Sequence, residues 1–163
     1  MAVDFITLDE LVDECVTLIG NSTPINDFCQ NNYTKSIMIF KSLDQYKLPE
    51  ESDAPYVAIL KDDMNAGEAT NVWTYQLGFD VAVNDTTETT DTVGNSSVVE
   101  TLGEKRVEEL SNLIYDEIRQ NISCNANVDE MRIVLDDTQY PLYTAVMVLR
   151  FNIPKPIGAV LGL

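Results

Sequence analysis

The residues best placed for chemistry are acidic pairs. Asp62-Asp63 opens a stretch running to Glu68 that looks superficially like a calcium loop, and Asp136-Asp137 sits in a polar segment between two apolar runs. Carboxylates so spaced can chelate a hard cation, or divide acid and base roles when an apolar pocket raises one of them. Neither pattern holds. With Gly67 set at the sixth loop position, Met64 and Ala66 fall where oxygen ligands belong, and Trp73 replaces the bidentate glutamate. Asp136-Asp137 reads as a turn, where aspartate side chains bond to nearby backbone. Nothing marks any acid for burial.

The sequence contains no histidine. Ser-His-Asp and Cys-His nucleophile systems and histidine zinc sites are therefore excluded. No GxxxxGK[ST] or GxGxxG occurs, so the usual phosphate-cradling loops are missing as well. We nominate no catalytic, metal-binding or cofactor-binding residue, and expect a protein that is not an enzyme and carries no cofactor. The lone Trp73 and the strand aromatics read as core or sheet-face residues. Cys15, Cys29 and Cys124 form no CxxC pair and suit a reducing setting.

Charge narrows the partners. The formal net charge is −17, from 27 acidic and 10 basic side chains, and Lys105-Arg106 is the sole adjacent basic pair. Such a surface repels nucleic-acid phosphates and speaks against specific DNA or RNA binding, while a passage that DNA slides through is compatible with it. Solubility is the plainer role of the same charge. The start, MAVDFITLDELVDE, has no basic run and no long apolar stretch, so no secretion leader and no membrane span are expected.

These residues must be carried by a scaffold, and periodicity outlines it. In TLDELVDECVTLIGN, Leu8, Leu11, Val12, Cys15, Leu18 and Ile19 share one helical face, with a Thr7/Glu10 capping box before it and Gly20-Asn21 after. Residues 21–34 read as loop. KSIMIFKSL, Lys35 to Leu43, reads as a strand, and PYVAILKD as a second. In NVWTYQLGFDVAVND, Trp73, Tyr75, Leu77, Phe79, Val81 and Val83 hold period two, which describes an antiparallel strand with one buried face. Residues 84–98 are nearly all polar, either a mobile loop or a hairpin arm. Val107, Leu110, Ile114 and Ile118 mark a second helix, and MRIVLDD and YPLYTAVMVLRFNIP close the chain as strands. The expected fold is α+β: about five mainly antiparallel strands in the order α-β-β-β-α-β-β, covered by two amphipathic helices. It forms one domain over residues 1–153 with an apolar C-terminal arm, 154–163.

Taken in order, the N-terminal amphipathic helix, LPEESDAPYVAIL, WTYQLGFDVAV, EKRVEELSNLIYDEI and the closing VMVLRFNIP resemble the tail terminator (tail-completion, tail-to-head joining) proteins of long-tailed bacteriophages. The resemblance covers residues 5–153 and rests on element order, length and strand style. It implies a virion structural protein made in the host cytoplasm, forming a hexameric ring that caps the tail tube at the tail–neck junction. Its partners would be itself, the tail-tube protein and a head-completion or neck protein, with DNA passing through unbound. Under that reading Pro154, Pro156, Ile157, Val160, Leu161 and Leu163 would form a subunit interface, since apolar arms left in water cost free energy. Asp85, Thr87, Glu88, Asp91 and Val93 would contact the adjacent ring. Another neck or tube ring protein, a non-viral cytosolic protein-binding module and a carboxylate hydrolase are the alternatives.

Overall fold

The computed structural model describes residues 6–44, 47–65, 72–122, 127–135 and 140–154. Helix α1, Leu8–Asn21, starts at its capping box: the Thr7 hydroxyl accepts from the Glu10 amide at 3.2 Å, and the Glu10 carboxylate accepts from the Thr7 amide at 2.6 Å. Two donors that the first helical turn leaves without partners are thereby satisfied. Leu11, Val12, Cys15 and Ile19 are its buried face.

The segment expected as loop is instead a second helix, α2, Thr23–Tyr33. Ser22 both ends α1 and caps α2; its hydroxyl accepts from the Ile25 amide and donates to Glu117 at 2.6 Å. Pro24 lies in the first turn, where a missing amide donor costs nothing. Ile25, Phe28 and Cys29 supply the buried stripe, and Thr34, with φ 56°, closes the helix in the left-handed region. Polar composition hid a helix held mainly by three apolar anchors. Cys15 and Cys29 are both buried, and burial pushes the Cys29 thiol up to about 12.

The remaining elements are β1 Met38–Phe40, β2 Tyr56–Asn65, β3 Val72–Asn84, β4 Glu88–Val93, β5 Ser96–Thr101, α3 Gly103–Asn121, β6 Asn127–Leu135 and β7 Leu142–Pro154. The order is thus α-α-β-β-β-β-β-α-β-β, and the class is α+β as expected. Five strands form one sheet in the order β1-β2-β3-β7-β6; β1 runs parallel to β2 and every other pair is antiparallel. Strand β1 is shorter than its apolar run suggested, because only Met38 to Phe40 pair. β4 and β5 stand apart as a two-stranded sheet.

Register explains the core. Phe79 lies between Ile59 and Met147, and Val81 between Val57 and Ala145, so the period-two residues of three strands stack on one face. All three helices pack there, with Val107, Leu110, Ile114 and Ile118 of α3 completing the cluster. At the start of α3 a Cβ on Gly103 would lie 2.0 Å from the Tyr143 ring, so the helix approaches β7 closely only because that residue is glycine.

Opposite the helices, Tyr56, Ala54 and Ala82 form a small cluster with Phe40 and Leu142. Burial, then the negative charges of Asp80 and Asp53, push the Tyr56 phenol up to about 12. The three α-helices give no residue to that cluster; the 3-10 turn Glu51–Asp53 reaches this face, where Glu51 accepts from the Asn84 side chain at 2.9 Å. Among the described residues no helix is long and apolar enough to cross a membrane.

Candidate functional site

The part of the chain least explained by its own core is the β4–β5 ribbon. Six residue pairs, Glu88 with Thr101 through Val93 with Ser96, form it. Its turn is Gly94-Asn95, and Gly94 takes φ 63° while Asn95 stays at negative φ. A left-handed first turn residue defines the type II′ hairpin, whose twist matches that of the flanking strands. Every β4 side chain is exposed, and in β5 only Thr101 is partly covered. Val93 is 66% and Val99 63% exposed. A ribbon of two strands has no interior, and such a hairpin is marginal in water unless something holds it.

Its root is what holds it. The Asp85 side chain is only 1% exposed and gathers donors from three directions. One carboxylate oxygen, Oδ2, accepts from Nη1 of Arg106 and from the Tyr33 hydroxyl at 3.1 Å. The other, Oδ1, accepts from the Thr87 amide at 2.8 Å. The Asp85 amide donates to the Pro141 carbonyl at 2.9 Å. Arg106 also donates to the Thr87 hydroxyl at 3.2 Å and lies 6.0 Å from the centre of the Tyr33 ring. A further bond, Leu102 amide to Thr87 carbonyl at 3.0 Å, closes the neck of the ribbon. The end of β3, helices α2 and α3 and the approach to β7 are thereby fastened at one point.

Burial by itself would raise the Asp85 carboxyl, but the Arg106 bond and the Thr87 amide more than offset it and hold the group below its usual 3.8. It is therefore an anion at neutral pH. The Tyr33 phenol moves up, first through burial and then through the Asp85 charge, and stays a hydrogen-bond donor.

Of the residues singled out in the sequence, Glu88, Asp91 and Val93 lie exposed on the ribbon. Thr87 is exposed at its neck. Asp85 is corrected: at 4% exposure it fastens the root and is not a surface contact, because Arg106 and Tyr33 enclose it. Pro154 ends β7 opposite Val72. Pro156, Ile157, Val160, Leu161 and Leu163 lie outside the described residues. Asp62 sits at a bulge in β2, where it accepts a hydrogen bond from Gln76; Asp136 and Asp137 also lie outside the described residues. Among the described residues no three His, Cys, Asp or Glu side chains converge on one point.

Sequence reasoning missed Arg106 and Tyr33, whose pairing with Asp85 spans distant segments. It also ended the polar arm too early, leaving out Val99. The signal was present: Gly-Asn between two Thr- and Ser-rich runs is a two-residue hairpin turn. No family model and no curated protein sequence matches this chain.

Proposed function

We propose that this chain is a ring-forming assembly subunit of the tail-terminator kind, capping a phage tail tube and joining tail to head. The observation that carries the reading is the β4–β5 ribbon: well paired, exposed on both faces and fastened at its root by the ion pair of Arg106 with the buried Asp85. Fixing a ribbon so firmly while leaving nearly all its side chains exposed among the described residues serves contact with another molecule. The sheet face turned away from the three α-helices and the charge of −17 agree with a subunit that packs among copies and lets DNA pass. In this reading the tail-tube protein and a head-completion or neck protein meet the two ends of the ring, the virion neck is its location, and residues 154–163 are an arm on a neighbouring copy.

Light scattering and negative-stain microscopy test it, at chain concentrations up to the millimolar range and at both low and high salt to screen self-repulsion. The expected species is a closed ring of six 18.2 kDa chains that binds the end of a tail tube. A chain that stays monomeric under all these conditions, with or without tubes, would sink the proposal.

A further inference from the structure

The ribbon's composition and the free part of one sheet edge complement each other. Between Thr86 and Thr101 the chain carries Glu88, Asp91 and Glu100 and no basic residue, while Val93, Val98 and Val99 are exposed on it. Register places Asp91, Val93, Val98 and Glu100 on one ribbon face, so that face offers both carboxylates and valines.

On the sheet, β1 pairs with β2 only through Ala58. From Ile59 to Asn65, β2 continues with no strand on its outer side among the described residues. That free run is seven residues long, against six in each ribbon strand. The bulge at Asp62 divides it, so Ile59 to Lys61 is the part available for straight pairing. Beside those residues lies a groove of about 440 Å³ whose walls include Lys41, Leu43, Leu60 and Lys61. The two lysines are largely in water and reach Asp13 and Asp9 on α1, pairs that solvent keeps weak.

Donor and receptor also lie on opposite flanks. The ribbon stands beside Glu104, Lys105 and Leu135, on the α3 and β6 side, whereas the receptor edge is at the β1 side of the sheet. A chain with a strand donor on one flank and a strand acceptor on the other associates head to tail, and such contacts form a ring when the rotation between copies closes and a filament when it does not. We infer that the β4–β5 ribbon of one copy adds to the β2 edge of the next beyond Ala58, with Asp91 and Glu100 of one ribbon face exchanging onto Lys41 and Lys61 on the α1 side and Val99 of the other ribbon face covering Leu60. This rests on the ring reading above and names its lateral interface, one within the ring and not between adjacent rings.

The closed neck makes a clean test possible. Replacing residues 88–101 by Asn-Gly joins Thr87 to Leu102 across an existing hydrogen bond and leaves Asp85 and Arg106 in place. The expected product is a monomer that melts at the wild-type temperature while the wild type forms rings. A second set reverses charge. D91K/E100K and K41E/K61E should each weaken association by about tenfold, and combining them in one chain should restore it. Rings formed equally well by the ribbon-less chain, or no recovery in the combined variant, overturn the interface and leave the ring reading standing. Ribbon-less rings that lose only tail-tube binding do the same and assign the ribbon to the next ring. A wild-type chain that never assembles overturns both.

Discussion

Strands β3 and β4 follow one another with the same antiparallel bonding, yet their side chains meet opposite fates. In β3, Tyr75, Leu77, Phe79, Val81 and Val83 are wholly buried; in β4 all six residues face water. Hydrogen-bond pattern is shared, so it does not decide. Apolar alternation decides: β3 presents a large side chain at every second position to three helices, whereas β4 offers threonine and acid. The sheet is stable through what it buries. The ribbon persists through its turn and its root, which makes it separable from the domain that carries it.

The sharpest way to break this contrast is to make equivalent truncations on the two sides. Phe79→Ala should cost about 3–5 kcal/mol in urea unfolding, because a filled core site is emptied. Val98→Ala in the ribbon should stay within about 0.5 kcal/mol. Equal losses would show that the ribbon belongs to the core after all.

At the root the expected effects are intermediate and ordered. Arg106→Ala strands the buried Asp85 carboxylate and should cost about 3 kcal/mol. Asp85→Ala leaves Arg106, 21% exposed, free to turn toward water and should cost about 1–2 kcal/mol. The reverse order in unfolding measurements would mean that Asp85 burial does not govern the root. Gly103→Ala, which drives a methyl into the Tyr143 ring, should cost about 1–3 kcal/mol, and less in a Tyr143→Leu background. A double-mutant cycle showing no coupling would refute that clash.

The smallest effect is a pH response confined to the root. The folded Asp85 carboxyl lies below its ordinary 3.8, so its contribution is fully present above that value and is lost as pH falls through the lower folded value. Amide exchange at Leu102, whose bond to Thr87 closes the neck, should therefore quicken only in strong acid. Asp85→Asn should abolish that acid limb while leaving exchange in the centre of β3 unchanged.

How much could be read from residues alone differs by region for the same reason. Helices α1 and α3 were plain from i, i+3, i+4 stripes and the Thr7/Glu10 box, and the buried face of β3 followed from period two. Helix α2 escaped because NSTPINDFCQNNYT is polar on average, although Ser22, Pro24 and the Ile25–Phe28–Cys29 spacing mark a capped, amphipathic turn. The ribbon was one of two alternatives, since threonine-rich alternation carries little hydrophobic signal.

By itself, then, the sequence determined the α+β class, the period-two apolar face of β3 and the exclusion of histidine chemistry, because periodicity and composition are local properties. Only the tertiary structure decided that Asp85 is enclosed by Tyr33 and Arg106, that Gly103 must yield to Tyr143, and that β1 stops at Phe40, leaving Ile59 to Asn65 of β2 without an outer strand among the described residues. Each of these depends on which distant segments meet, and long-range proximity is set by packing rather than by any local pattern.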